Sequence, residues 1–466
     1  MSAPHLHEDS TRPLRSPTSP DGKPVWRVGT LTYTAGALGM LFFWLLWGDF
    51  AWSLKERSVT AIVQLLLRRF EASDLLVGLL IGSIPSILNL VVTPIVSYRS
   101  DRHRSRWGRR IPFLAIPTPI AALAMIGLAF CPPIGASLHE FLGHYSPGVN
   151  IVTLWCFAFF WMIFEVATVV ANAVLVALIN DVVPAALLGR FQGLFRALSL
   201  IAGIIFNYWI FARAETHYHW IFITIGTVYG LGFLLMCINV KEGEYPCPTG
   251  EDGNRAVFSE AVKIYFKECF SSSFYIWIFM AMNLPMLAFV PVNIYSVYFA
   301  KSVGMSMDQY GKCIAITFAI SLTMSYFIGW LADRLHPARV GMVAAGLYAA
   351  AALMGSVLAA TSDWFSVALV AHGVLAGTWM TATASLGQRL YPKARFAQFA
   401  SAQAMIYSLG IISITPVVGS FLDYTGRDYR FTFLIAGSLA AIGAFSTWVL
   451  LRRMKTTRSD EAVAVR

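Results

Sequence analysis

Three ionisable residues interrupt long apolar stretches of this chain, and each is a candidate for proton chemistry. Glu165 lies in the middle of one apolar segment, Arg196 lies in the next, and Asp49 lies in the first. An ionisable side chain at membrane depth costs about 3 kcal/mol or more, so it marks a functional candidate. We predict that Glu165 binds a proton and that Arg196 tunes its charge. The alternatives are a permanent structural ion pair, or an Arg196 that reaches Asp181 or the inner membrane surface.

Asp49 lies in the run Trp47-Gly48-Asp49-Phe50-Ala51-Trp52, which has two interpretations. In one, the glycine loosens the helix, the tryptophan rings offer flat faces to a sugar ring, and Asp49 assists proton coupling. In the other, the tryptophans belong to the interfacial belt and Asp49 lies near the water boundary, because the charged residues 55–57 follow directly. Both interpretations remain open from the sequence.

Neutral polar and aromatic side chains in the apolar segments suit an uncharged, hydroxyl-rich substrate. Amides hydrogen-bond hydroxyl groups in pairs, and aromatic rings stack on sugar rings. Trp161, Thr168 and Asn172 share a helical stripe with Glu165. Any single such group is also common between packed helices. The substrate-binding candidates are Trp161, Asn172, Asn207, Asn283, Asn293, Tyr295, Trp379, Gln403 and Tyr407.

The elements that carry these residues are predicted to be membrane helices. The chain is 57% hydrophobic and 13% charged, whereas charged residues make up about a quarter of a soluble domain. Apolar windows of about 20 residues, each long enough to cross a bilayer, recur along the chain. Most lack the polar face of a soluble helix. The twelve predicted segments are 28–54, 73–97, 111–133, 149–180, 188–212, 217–240, 274–300, 311–331, 339–360, 364–388, 396–421 and 430–451.

The net charge of +10 is an orientation signal rather than a sign of nucleic-acid binding. Most Lys and Arg residues fall in the two tails and in the loops on the same side, which places both termini in the cytoplasm. No nucleotide-binding Gly-Lys loop, His-Glu-x-x-His motif or Cys/His cluster occurs in the sequence. We therefore expect no enzyme activity, no cofactor, no metal and no nucleic-acid partner.

The chain is predicted to be a duplicated half. Ser73-Asp74, Gly78 and Ser100-Asp101-Arg102 recur in order as Ser306-Met307-Asp308, Gly311 and Ala332-Asp333-Arg334. Parallel six-helix halves of this kind bind substrate between them, near the membrane midplane. The predicted units are a disordered cytoplasmic tail (1–27), a first bundle (28–240), a cytoplasmic linker (241–270), a second bundle (271–452) and a cytoplasmic tail (453–466).

The loop between the second and third predicted helices carries six arginines between Tyr98 and Phe113. Its Asp-Arg…Gly-Arg-Arg pattern, echoed at Asp333-Arg334, resembles the signature loop of the major facilitator superfamily. The longer run Ser100-Asp101-Arg102-x4-Trp107-Gly108-Arg109-Arg110-x-Pro112-Phe113 is similar to the branch of glycoside–cation symporters and plant sucrose transporters. The second helix has no carboxylate within the membrane, which departs from the sodium–melibiose type.

This loop is also predicted to gate a transport pathway. A carboxylate at the cytoplasmic end of a helix can meet the N-terminus of a neighbouring helix and pair with arginines. Such contacts would close the inner gate in the outward-facing state, although the arginines could instead serve only to fix topology. The predicted gate residues are Asp101, Arg102, Gly108, Arg109, Arg110, Asp333 and Arg334.

The sequence therefore predicts an all-α membrane protein of the major facilitator fold, with twelve helices in two pseudo-symmetric bundles. We expect a monomeric secondary active transporter in the cytoplasmic (inner) membrane, with a sugar, a proton and the lipid bilayer as partners. Its predicted activity is proton-coupled symport of a disaccharide or glycoside by alternating access. The alternatives are a proton-driven exporter of an amphiphilic compound, and a non-transporting sensor or assembly factor on the same scaffold.

Overall fold

The computed structural model describes residues 25–243, 265–392 and 395–464. The chain enters through two short antiparallel strands, β1 (Trp26–Val28) and β2 (Leu31–Tyr33). Helix α1 (Ala35–Arg69) follows, and the Thr34 side chain caps it by accepting the Ala37 N–H. The first helix thus begins and ends later than the predicted segment 28–54. Of the predicted tail 1–27, residues 1–24 lie outside the described residues.

The rest of the first half contains eight further α-helices with short connections. Two of its membrane helices contain a π-helical turn, Leu79–Ser83 between α2 and α3, and Phe206–Ile210 after α8. The elements are α2 (Asp74–Gly78), α3 (Ile84–Arg102), α4 (Pro112–Ala115), α5 (Pro117–Ala129), α6 (Cys131–Leu142), α7 (Val149–Val182), α8 (Ala185–Ile205) and α9 (Ala214–Asn239).

The second half repeats the arrangement. Most of the predicted linker 241–270 lies outside the described residues. The final helix continues into the predicted C-terminal tail as far as Ala464. The elements are α10 (Ser273–Ser302), α11 (Met307–Leu335), α12 (Pro337–Leu358), α13 (Ser362–Thr383), α14 (Leu386–Leu390), α15 (Phe396–Tyr424) and α16 (Arg430–Ala464).

Helix length and composition support twelve membrane crossings in the described ranges. Eleven helical stretches are long and apolar enough to cross a bilayer, and one of them, Ala186–Asn239, has 54 residues. At about 1.5 Å per residue it would be far longer than the hydrocarbon core, which is about 30 Å thick. A 3-10 turn at Phe211–Arg213 and the non-helical backbone of His217 divide it into two crossings. The protein is thus an all-α membrane protein with two six-helix bundles.

The two halves meet through a pseudo-symmetric pair of helix crossings. Helix α2 and the following π-turn pack on α15, and α8 with its π-turn packs on α11. The repeated glycines lie at these crossings. A Cβ atom on Gly78 would lie 2.5 Å from the Thr415 carbonyl oxygen, and one on Gly311 would lie 2.3 Å from that of Asn207. Only glycine allows such close approach of two backbones.

The repeated serines make equivalent caps at the start of these crossings. Ser73 accepts the Leu76 N–H and Ser306 accepts the Gln309 N–H, each at 3.2 Å. Both caps lie on one side of the molecule, which we name the Asp74 face. The opposite side, which carries the loop after α3 and the end of α11, is named the Asp101 face.

Candidate functional site

A polar cavity of about 180 Å³ lies within the first half, between α1, α3 and α7. Its walls carry charged, amide and aromatic side chains in the middle of membrane helices. Three ionisable groups share it, namely Lys55, Glu56 and Glu165. The lining residues used below are Trp52, Lys55, Glu56, Asn89, Trp161, Glu165, Thr168 and Asn172.

Lys55 and Glu56 form an ion pair inside α1. The Lys55 ammonium is buried and lies 3.2 Å from Glu56 Oε2, while the Glu56 side chain is 58% exposed. The same ammonium lies 3.6 Å from the centroid of the Trp52 ring, which adds a cation–π contact. Because lipid does not tolerate a carboxylate, the exposed Glu56 must face water inside the protein.

Glu165 is the carboxylate of this cluster that is not part of the Lys55–Glu56 ion pair. It has no ion pair or hydrogen bond within the part of the chain that the structure describes, and its charge interacts with those of Glu56 and Lys55. The predicted partner, Arg196, lies elsewhere. Its guanidinium donates to Thr381 Oγ1 at 2.7 Å, on α13 of the other half. The pairing of Glu165 with Arg196 was therefore wrong, and Lys55 is the cation near Glu165.

Asp49 lies in the interior of α1 and not at the water boundary. It is 1% exposed, and Ser53 Oγ donates to its Oδ1 at 3.2 Å. Its Oδ2 has no partner among the described residues. The boundary interpretation was wrong because α1 continues through the charged residues 55–57 to Arg69. Asp49 does not line the cavity, whereas its neighbour Trp52 does.

Of the substrate-binding candidates in the first half, two line the cavity. Trp161 is buried, and its Nε1 donates to the carbonyl of Leu80, within the π-turn of the second membrane helix, at 2.8 Å. Asn172 is exposed to the cavity. Asn207 lies instead at the crossing with Gly311, where its side chain donates to the Gly203 carbonyl at 2.8 Å.

The candidates in the second half have separate positions. Asn293 is exposed and bonds to His372, whereas Tyr295 is buried at the Asp74 face and donates to the Asp74 carbonyl. Trp379 packs edge-on against Phe289, with ring centroids 5.8 Å apart.

Three more candidates of the second half lie apart from the first-half cavity. Asn283 is buried, and neither of its amide atoms has a partner in the described ranges. Gln403 accepts from the Tyr391 hydroxyl at 2.7 Å, and Tyr407 is half-buried.

The loop on the Asp101 face is folded by a network within the first half. Asp101 pairs with Arg110, while Arg109 and Arg110 converge on Asp181, at 2.7 and 3.1 Å. Glu242, just after α9, accepts the backbone N–H groups of Arg109, Arg110 and Ile111 at 2.7–3.0 Å. A carboxylate at the start of a helix is stabilised by those free N–H groups and by the helix dipole. The sequence had not singled out Glu242.

Gly108 allows Glu242 to approach. Its φ of +106° suits glycine, and a Cβ there would lie 2.6 Å from Glu242 Oε1. Arg102 stacks on the Tyr98 ring, with 3.7 Å between guanidinium carbon and centroid. In the second half, Asp333 pairs with Arg389, and Arg334 lies 5.4 Å from the Trp330 ring centroid. These predicted gate residues thus bond within their own halves.

Several hydrogen bonds join the two halves at the Asp74 face. Asp423 on α15 accepts the backbone N–H groups of Asp74 and Leu75, and Tyr429 donates to the Asp74 carboxylate. Ser83 and Thr415 also bond across the halves at 2.8 Å. This conformation is therefore closed at the Asp74 face. No ion pair among the described residues of the Asp101 face links the two halves, although Arg196 donates a hydrogen bond across them to Thr381.

Similar proteins share this architecture. The structure of a D-xylose–proton symporter is 15% identical, with a TM-score of 0.61, over 88% of this chain and 95% of that one. The nucleoside transporter NupG is 11% identical with a TM-score of 0.62, over 88% and 98%. A bacterial homolog of the human lysosomal transporter Spinster, inward-facing and unoccupied, is 14% identical with a TM-score of 0.60, over 89% and 97%.

Sequence comparison identifies the family directly. The model of the Major Facilitator Superfamily matches residues 32–415 and 286–465. These ranges together cover nearly the whole chain, including both bundles and the loop of the Asp101 face. The chain therefore belongs to the Major Facilitator Superfamily.

Proposed function

We propose that this protein is a monomeric secondary active transporter that carries a sugar together with a proton by alternating access. The observation that carries the proposal is that the Glu165 carboxylate, which has no ion-pair partner among the described residues, lines the same cavity as Trp161 and Asn172. A protonatable group and sugar-compatible side chains thus share one wall.

Charge balance supports proton coupling. The cavity holds two carboxylates, Glu56 and Glu165, and one ammonium, Lys55. The Lys55–Glu56 pair is neutral, so Glu165 leaves one uncompensated negative charge. Removing an unpaired charge from water is costly, and a bound proton would eliminate that cost. A carrier that closes around this cavity is therefore expected to close more readily when Glu165 is protonated.

The neutral lining supports a hydroxylated, uncharged substrate. Asn89 and Asn172 can each donate and accept, and Thr168 contributes a hydroxyl whose Oγ1 has no partner among the described residues. The fold similarity to a D-xylose–proton symporter agrees with this substrate class. We propose that the preferred substrate is a disaccharide or glycoside.

Alternating access supplies the mechanism. The Asp74 face is closed here, so the substrate would exchange on the Asp101 face. We propose that this face lies in the cytoplasm, which the positive charge of its loops supports. Rocking of the halves would separate Asp423 from α2 and bring the loop of Gly108 towards the second half. The gate residues of that loop would then act in the outward-facing state.

Counterflow in proteoliposomes tests the function. Purified protein is loaded with unlabelled sucrose, maltose, melibiose or glucose, and entry of the same labelled sugar is followed with and without a pH gradient. We expect exchange of at least one sugar, and accumulation when the outside is acidic. Exchange without accumulation would overturn proton coupling, and proton flux opposite to solute flux would favour an exporter. A lack of exchange for every sugar, with a stoichiometric co-purifying partner, would favour the non-transporting role.

A further inference from the structure

Asn293 is the one residue between Leu287 and Ala300 that is not buried. This part of α10 packs against the first half and against its own bundle, so its other residues are covered on all sides. An exposed amide in such a helix must face an internal, water-filled space, because lipid does not reach it. Asn293 therefore presents a polar group to the interior of the transporter.

A buried chain of hydrogen bonds holds the Asn293 side chain. His372 Nε2 lies 3.1 Å from Asn293 Oδ1, and His372 Nδ1 lies 2.8 Å from the Tyr348 hydroxyl. His372 and Tyr348 are both buried, and Phe289 packs edge-on against both rings. One neutral tautomer satisfies both contacts: Nε2–H donates to the amide oxygen, and Nδ1 accepts from the tyrosine.

This chain fixes which end of the amide faces the interior. The amide oxygen is occupied by His372, while Asn293 Nδ2 has no hydrogen bond within the described part of the protein. The backbone is held as well, because Gln64 of the first half donates to the Asn293 carbonyl at 3.0 Å. Asn293 therefore presents two free donors from a position restrained at both its backbone and its side chain.

We propose that His372 is a positioning residue that aims the Asn293 amide group at an acceptor oxygen of the transported solute. The solute class is an uncharged molecule with hydroxyl, ring or glycosidic oxygens, so this inference rests on the proposed sugar transport. The second half would thus supply one oriented donor pair to the solute. Tyr348 sets the tautomer of His372 and acts only through it.

The accessibility of Asn293 is tested without any substrate. Asn293→Cys and the matched control Val292→Cys, at a position that is 1% exposed, are treated in detergent with a charged methanethiosulfonate reagent. The rate for Asn293→Cys is expected to be about tenfold higher or more, since a thiol reacts where water reaches it. Equal rates would overturn the inference whether or not the protein transports a sugar.

The positioning role is tested by a double-mutant cycle with a sugar that exchanges in counterflow. His372→Leu is expected to raise the KM of exchange about tenfold with little change in kcat, a cost of the size of one hydrogen bond. In an Asn293→Ala background the same change should raise KM less than about twofold, because coupled residues are not additive. His372→Gln, whose amide can donate in place of Nε2–H, should restore most of the loss.

Two outcomes would overturn the positioning role. One is an equal rise in KM in both backgrounds, which would show that His372 acts on packing and not through Asn293. The other is failure of His372→Gln to improve on His372→Leu while both variants remain monodisperse. If no sugar exchanges at all, the proposed function fails and the labelling comparison still decides whether Asn293 faces water.

Discussion

The carboxylate of Asp423, near the end of α15, caps the first turn of α2 in the opposite half. Its two oxygens accept the N–H groups of Asp74 and Leu75, each at 2.9 Å. Free N–H groups and the helix dipole both favour an anion there. Since Asp423 and Asp74 belong to different halves, this cap exists only while the Asp74 face is closed. It is therefore an interaction that selects one state of the transporter.

Replacing Asp423 by Asn should shift the protein towards opening at the Asp74 face. The amide keeps one acceptor oxygen but loses the charge and the second acceptor. Loss of a cap costs about 0.5–2 kcal/mol, or roughly a 2- to 30-fold change in the population ratio of the two states. Spin-label distances across the Asp74 face would measure it. Asp428→Asn is the matched control, because Asp428 bonds to Arg430 within its own loop; an equal effect from both variants would contradict the prediction.

The helix crossing at Gly311, like the Asp423 cap, should stabilise the state that is closed at the Asp74 face. A methyl group there would lie 2.3 Å from the Asn207 carbonyl oxygen, and backbone cannot move aside as a flexible side chain can. Gly311→Ala is thus expected to push α11 away from the π-turn after α8 and to open the Asp74 face. Gly329→Ala in the same helix, with nothing within 4 Å, is the control. The test is the rate of thiol labelling of Asn207→Cys. A faster rate in combination with Gly311→Ala, but not with Gly329→Ala, would confirm that the Asp74 face has opened.

The stability of the loop on the Asp101 face should depend on Gly108 for two reasons: its positive φ and the close approach of Glu242. Gly108→Ala adds a positive-φ penalty and a clash with Glu242, which holds three N–H groups. Gly148→Ala carries a similar φ of +115° with nothing within 4 Å, so it measures the φ penalty alone. We expect Gly108→Ala to cost about 1–3 kcal/mol more, the cost of disrupting buried hydrogen bonds. Thermal unfolding of both variants checks it, and equal losses would dismiss the role of Glu242.

The sequence predicted the architecture because hydropathy and repetition report it directly. Three local patterns carried the prediction, and the structure contains all three. They are the twelve apolar segments, the repeated Ser-Asp…Gly pattern and the arginine loop. The extent of α1 could not be read in this way. Lys55, Glu56 and Arg57 look like a loop beside the membrane, yet the structure keeps them in the helix. Lys55 pairs with Glu56 and Trp52, and Arg57 reaches Ser199 and the Phe318 ring.

The second feature that the sequence could not predict was which side chains on different helices pair with one another. Helical spacing correctly put Trp161 and Asn172 beside Glu165, because residues one turn apart share a face. It gave no means of choosing between Arg196 and Lys55 as the nearest cation, since that choice depends on how α1, α7 and α8 rotate against one another. The partner of Asn293 was equally hidden, because His372 lies 79 positions away on another helix.

Glu165→Gln should separate exchange from accumulation. The glutamine carries no charge and mimics the protonated acid, so the variant would resemble a permanently proton-loaded carrier. A loaded carrier can exchange one sugar for another without releasing its proton, and we expect counterflow to remain while accumulation driven by an acidic exterior is lost. Exchange should also become independent of pH, since the titrating group is gone.

Two controls sharpen this prediction. Glu140→Gln alters an exposed residue of α6 and should behave as the unmodified protein. Glu56→Gln instead removes the ion-pair partner of the buried Lys55, so the charges of Lys55 and Glu165 balance each other. A bound proton would then add a net charge to the cavity, and accumulation should fall. Its defect would then be relieved in Glu56→Gln with Lys55→Met, which restores the original charge balance. If Glu165→Gln still concentrates sugar against its gradient, Glu165 is not the coupling group. Asp49, a carboxylate buried within α1, then becomes the residue to change next.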